Sequence, residues 1–205
     1  MKKIILSILS IALSLSAFSQ IELKPAIGFN VARFDSNPVV TIASVTDSLV
    51  STSKAGYQIG ASLAVGRQLY VEPGLFYTKL TQNFTPSDPE NPEFVYSANY
   101  LRVPVNLGFQ FIGQATSFAG LRIYIGPSMF IPLSVKENEF GLEKHDLKSP
   151  QFDFSVGAGL NVWFLFLDVS YGWGLTPQYK VDPIEAKMQA FYANLGFRFK
   201  LKSDD

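Results

Sequence analysis

Polar and apolar residues take strict turns along much of this chain. In YLRVPVNLGFQF, Tyr100 to Phe111, the residues Leu101, Val103, Val105, Leu107, Phe109 and Phe111 are apolar. Tyr100, Arg102, Pro104, Asn106, Gly108 and Gln110 stand between them. Successive side chains of an extended strand point to opposite faces, so this period of two builds one apolar face and one polar face. The pattern recurs and predicts strands at 22–31, 56–65, 69–82, 95–111, 119–133, 151–163, 166–175 and 188–200. No comparable stretch carries a helical period. The expected fold class is all-β.

Long and short connections alternate between these strands. In an up-and-down meander, that puts every long loop at one rim and every tight turn at the other. This layout, with an even strand count, belongs to an eight-stranded antiparallel up-and-down transmembrane β-barrel. Register agrees: across 66–68, Val65 is expected opposite Leu69, apolar against apolar. Across Phe164–Leu165, Trp163 is expected opposite Phe166 and Val162 opposite Leu167. Pro25, Pro73, Pro104, Pro127 and Pro132 each remove a ladder donor, which a closed barrel has no free edge to hide. Bulges or strand ends are the expected remedy. Pattern alone supplies none for Pro104.

Alternation does not say which face points inward. A soluble periplasmic lipocalin-like barrel, holding an apolar ligand, alternates too, with its apolar face inside. Three features favour the inverse. The polar face is rich in glycine (Gly28, Gly60, Gly74, Gly108, Gly126, Gly157, Gly159, Gly172, Gly196), as a crowded lumen requires. The apolar face is almost free of charge along the strand centres, as hydrocarbon demands. Aromatics form two bands, as at two water–lipid interfaces. Phe109, Phe111, Phe197 and Phe199 lie near the turns, and Phe29, Tyr77, Phe152, Phe154, Tyr171, Trp173 and Phe191 near the loops.

On this reading Leu101, Val103, Val105, Leu107 and Phe109 face lipid. The inward charges are Glu22, Lys24, Glu72, Arg102, Arg122, Asp153, Asp168, Arg198 and Lys200. Arg102 and Asp153 fall nearer the loops, and the rest toward the turns. Unpaired charges in a narrow interior are costly, so the nearly balanced signs predict a mutually paired network. Arg122 with Glu72 or Asp168 is its expected centre. Eight strands enclose a space that side chains just fill, whereas a selective pore is wider and lined with one sign of charge.

The N-terminus, MKKIILSILSIALSLSAFSQ, has the parts of a cleaved signal peptide over 1–19, leaving 20–205 as the barrel domain. Lys2 and Lys3 form its basic head, Ile4 to Leu15 its apolar run, and Ala17 and Ser19 the small residues before a cut ahead of Gln20. Removing two lysines from 17 basic and 17 acidic residues leaves a near-neutral chain with no basic block for nucleic acid. With no cysteine there is no disulfide framework, thiol nucleophile or thiolate-bound metal.

The signal ending in Ser-Gln and the segments YLRVPVNLGFQF, GAGLNVWFLFLDVSYGWGL and ANLGFRFKL resemble the PorT-like outer-membrane β-barrel family of Bacteroidetes-type bacteria. A Tyr-Leu-x-Val/Ile-Pro strand and a Gly-x-Gly hairpin closed by an aromatic-Gly pair are typical of that family. The resemblance spans nearly the whole mature chain. It implies an eight-stranded barrel in the outer membrane and gives Pro104 a precedent. The founding member is linked to protein secretion and gliding; only fold and location carry over here.

Chemistry has little to stand on. The sole histidine, His145, lies in GLEKHDLKSP beside Asp146 and near Ser149, but neighbours in one loop rarely meet triad geometry. A lipid-modifying outer-membrane enzyme using loop-end residues is the alternative this leaves. No second His or Cys is available for a metal, and no cofactor motif is present. The loops RFDSNPVVTIASVTDSLVSTSKAG, TPSDPENPEF and TPQYKVDPIEAK are polar and suit recognition. The expected protein is a non-enzymatic outer-membrane barrel with a charge-plugged lumen and a structural, anchoring or surface-interaction role. Its expected partners are outer-membrane lipid and an unspecified membrane or surface protein.

Overall fold

A computed structural model describes residues 20–34, 39–42, 45–86, 94–113, 118–136, 144, 147–178 and 187–202. The expected signal segment, His145 and Asp146 lie outside them. The strands are β1 (Ile21–Phe34), β2 (Val39–Ile42), β3 (Val45–Gly66), β4 (Leu69–Pro86), β5 (Phe94–Ile112), β6 (Ala119–Val135), β7 (Gln151–Val162), β8 (Leu165–Pro177), β9 (Lys187–Phe197) and β10 (Phe199–Lys202). β10 continues β9 past a break at Arg198. With β2 a short side arm on β3, eight antiparallel staves remain, and β1 closes the ring by pairing with both β3 and β9–β10.

Strand period decides what each wall shows. Along β6 and β8 burial alternates residue by residue. The buried set holds the charged and polar side chains, packed among rings such as Phe76, Phe130 and Phe166: Lys24, Gln58, Arg102, Arg122, Asp153 and Asp168 are each less than a tenth exposed. The exposed set is apolar, with Ile27 61%, Ile59 53% and Leu107 49% accessible. Val105 and Phe109 are exposed on the same outward face, and Leu101 and Val103 are half-buried there. A lipocalin-like interior is the reverse arrangement, so that alternative is excluded by geometry. Outward aromatics form both expected bands. At the turn rim Phe109 lies 5.4 Å from Phe111, and Phe164 stacks on Phe197 at 5.9 Å. At the loop rim Phe29 meets Phe191 at 6.3 Å, Tyr57 meets Tyr77 at 6.4 Å and Tyr171 meets Trp173 at 4.9 Å.

Three sequence expectations need correction. Val65 pairs with Val71, not Leu69, because Gly66, at φ 138°, pairs with Tyr70. The second turn is Trp163–Phe164, one residue earlier than expected, so Val162 pairs with Leu165 and Leu160 with Leu167. Trp163 leaves the strand, its φ of 55° supplying the left-handed residue that a two-residue turn needs. Val65 and Leu69, and Val162 and Leu167, keep their shared outward face, because the side-chain period is two. The segment 32–55, read as a polar loop, is largely strand: Leu49–Lys54 continue β3 against β4. Its run of Val, Ser and Thr has β propensity without the apolar stripe that signals a wall facing lipid.

The prolines obtain their remedy from the ladders. Beside Pro73 the β3–β4 pairing skips from Ser62–Gly74 to Val65–Val71. At Pro104 the β4–β5 pairing skips from Pro73–Val105 to Phe76–Arg102, while Pro104–Ser128 persists on the other side. At Pro127 the β5–β6 pairing skips from Pro104–Ser128 to Leu107–Ile125. Pro25 abuts the β9–β10 break, and Pro132 sits at a register shift between Asn99 and Tyr100. Each missing donor faces a place where the ladder has already opened.

Candidate functional site

Across the turn half of the barrel, four strands send charged side chains to one point. Lys24 on β1 donates to both carboxylate oxygens of Glu72 on β4, at 2.8 and 2.9 Å, and lies 3.5 Å from Asp168 on β8. Arg122 on β6 donates through Nη1 to Glu72 at 2.9 Å and through Nη2 to Asp168. Ser62 donates to Glu72 at 2.6 Å. Two acids and two bases thus alternate in a closed, formally neutral quartet. Phe166 lies under both cations, 4.3 Å from Lys24 Nζ and 5.5 Å from the Arg122 guanidinium carbon, with its ring face available for cation–π attraction.

Neighbouring strands make room for this quartet with glycine. A β-carbon on Gly159 would land on Asp168 and Arg122, and one on Gly108 would land in the Tyr70 ring. Across β4, β5, β6 and β7 the register reads Tyr70, Gly108, Tyr124, Gly157, large against small in turn. This alternation is what lets rings and guanidinium groups share a narrow interior. Above the quartet is a cavity of about 30 Å³ lined by Glu72, Arg102, Pro104, Asn106 and Asp168 among others. Below it, Glu22, Tyr70, Gln110, Arg122 and Asn161 border one of about 20 Å³. Both are on the scale of a single water.

Two smaller groups flank the quartet. Toward the turns Arg198 donates to both oxygens of Glu22, at 3.0 and 2.6 Å, a bidentate pair. Toward the loops Arg102 lies 3.9 Å from the centre of the Tyr192 ring and donates to Ser128 at 3.2 Å; Asp153 is the register partner of that serine. Gln58 donates to Asn194 at 2.5 Å, and Gln178 to Tyr100 at 3.0 Å, extending the polar packing upward.

Of the nine charges expected inside, eight are buried. Lys200, opposite Glu22 in β10 near the turn rim, is exposed; Arg198 already takes both oxygens of that carboxylate. Arg122 engages both Glu72 and Asp168, where one had been expected. Sequence reading missed Lys24 as the second cation of the quartet, since periodicity fixes a face and not a depth. It also missed Trp163 and Phe164 in the lower aromatic band. Ser149 is exposed on the loop side. Among the described residues no cluster of three metal-binding side chains occurs.

The architecture has known counterparts. The chain is similar to the outer membrane protein OprG from Pseudomonas aeruginosa, with a TM-score of 0.57 and 11% identity over 90% of this chain and 97% of that one. It is also similar to Neisserial surface protein A, with a TM-score of 0.51 and 12% identity over 87% and 97%. At such identities the likeness concerns fold alone. No curated protein matches the sequence. A family model described as "Outer membrane protein beta-barrel domain" matches residues 15–180. With its apolar wall turned outward, its interior filled by paired charges and most of its length matched by that model, the chain belongs to the outer-membrane β-barrel domain family and resides in the outer membrane.

Proposed function

We propose that this protein is a non-conducting, non-enzymatic barrel whose charge-filled lumen is a structural plug, and whose role is to hold its loops at the cell surface. The single observation behind this reading is the neutral quartet of Lys24, Glu72, Arg122 and Asp168 between two water-sized cavities. A conducting pathway favours a continuous lining biased to one sign, and a cross-linked quartet has neither property. Mutually satisfied buried charges instead fix the geometry of the staves. The loop-rim strands, rooted on that scaffold, are then available for a structural, anchoring or surface-interaction role.

Purified protein in planar bilayers is expected to show no steady conductance. Exchanging Arg122 and Asp168 together for glycine is expected to open a measurable leak. A stable ohmic conductance in the unaltered protein would overturn the plug. The enzymatic alternative predicts a lipid-modifying activity abolished by His145→Ala, to be sought by mass analysis of membrane lipids. The kinship proposed is PorT-like, in a Gram-negative bacterium of the Bacteroidetes type. The proposed signal cut ahead of Gln20 is checked by the mass of the protein recovered from membranes.

A further inference from the structure

Among the described side chains, the outward wall carries charge of one sign. Every acid whose side chain is described, Glu22, Glu72, Asp153 and Asp168, is buried in the lumen. Among the described side chains, outward-facing bases of the loop half stand on neighbouring staves: Arg33 on β1, Lys54 on β3 and Lys79 on β4. Lys54 reaches this face through the register shift between Lys54 and Tyr57, which sets it opposite outward-facing Thr81. Lys187 on β9 extends the arc to a fourth stave.

Two of these cations, Arg33 and Lys79, have partners on the same face. Arg33 Nη2 donates to Gln189 Oε1 at 3.3 Å and lies 3.5 Å from Tyr171 Oη, while the Tyr171 hydroxyl donates to the same glutamine oxygen at 2.6 Å. Arg33, Gln189 and Trp173 are successive cross-strand partners in one outward row. Lys79 Nζ lies 6.0 Å from the Tyr57 ring centre. The cations sit at the loop-side border of the apolar wall, beside the aromatic band, where lipid head groups begin. Adjacent strands are ~4.8 Å apart, so four staves spread the arc over roughly 15 Å.

We propose that this arc is a binding site for the phosphorylated sugar head group of an outer-leaflet glycolipid. A bare cation at this border would be satisfied by water alone, as snorkelling side chains are. Here the arginine is oriented by a Tyr–Gln pair that engages Nη2, and the exposed guanidinium has five N–H donors in all, enough to serve phosphate oxygens as well. A disaccharide phosphorylated at both ends matches an extended arc, and the apolar strip below accepts its acyl chains. The site is outside the lumen and does not depend on the plug.

The chain has two tryptophans, Trp163 in a turn and Trp173 two strands from Arg33 in the same outward row. Trp163→Phe therefore leaves one fluorescent reporter at the arc. That variant, in bilayers of neutral phosphatidylcholine, is titrated with diphosphoryl lipid A, with the same lipid after removal of both phosphates, and with inorganic phosphate. Saturable Trp173 fluorescence change is expected with diphosphoryl lipid A alone. Adding Arg33→Gln, Lys54→Gln and Lys79→Gln is expected to weaken binding by on the order of 100-fold, at roughly fivefold per charge removed. Equal binding of the dephosphorylated lipid, or an unchanged affinity in the triple variant, would overturn the site. So would inorganic phosphate giving the full change at similar concentration. A boiling-dependent gel shift confirms that each variant is a folded barrel, and failure to insert into bilayers would count against the outer-membrane reading instead.

Discussion

Arg122 shows how much one lumen side chain carries. It bridges Glu72 and Asp168 from the middle of the barrel, and its removal leaves Lys24 alone facing two carboxylates. Breaking a buried pair by deleting one partner costs about 3–5 kcal/mol, whereas apolar replacement of a whole set is often neutral. Arg122→Met is therefore expected to lower the unfolding free energy, measured by urea titration in lipid vesicles, by that order. Adding Asp168→Leu restores the balance of one acid and one base and is expected to recover much of the loss. A double-mutant cycle with no coupling between the two positions would refute the bridge. Space is as tightly set as charge. A side chain on Gly108 meets the Tyr70 ring, so Gly108→Val is expected to destabilise by roughly 1–3 kcal/mol in the same assay.

Single strands obey a rule that the sequence displays openly, because a period of two marks every wall position as inward or outward. Arg102 and Val105 lie three positions apart on β5, and their fates are opposite. Depth along the strand is a further variable. Val105→Arg, near the middle of the wall, is expected to cost about 2–4 kcal/mol, and the charge in Phe109→Arg, near the turn rim, only about 0–1. Equal penalties measured by vesicle unfolding would contradict the membrane placement. The turn at Trp163–Phe164 was hidden, since neither residue is a usual left-handed former and only the closing ladder forces one of them to be. Pro104 was obscure for the same kind of reason: which neighbour a missing donor faces depends on pairing, and pairing is not written within one strand. The upper part of β3 was overlooked because Ser and Thr on both faces give no stripe. Eight staves and their directions were legible; the exposure of Lys200, the bulge that turns Lys54 outward and the partners of the buried charges were not.

At the scale of the whole molecule the barrel is an inverted globule, polar within and apolar without, held in shape by paired charge and by hydrogen bonds between staves. Its turn rim is stitched as well: the Gln110 amide donates to the Gln68 carbonyl at 2.8 Å and the Arg198 amide to the Phe164 carbonyl at 2.7 Å. The purified protein is expected to migrate faster on a gel before boiling than after, and loss of that shift in Arg122→Met at ambient temperature would mark the quartet as essential to closure. The bidentate Glu22–Arg198 pair lies at the joint between the first stave and the last, 176 residues apart in sequence. The partner of Glu22 comes from the far end of the described residues. The edge of β1 that meets β9 and β10 is therefore completed only when those strands arrive. The pair is a clasp that only a finished chain can fasten, so a truncated product lacking its end is left as an open sheet, distinguishable from the completed wall before it becomes permanent.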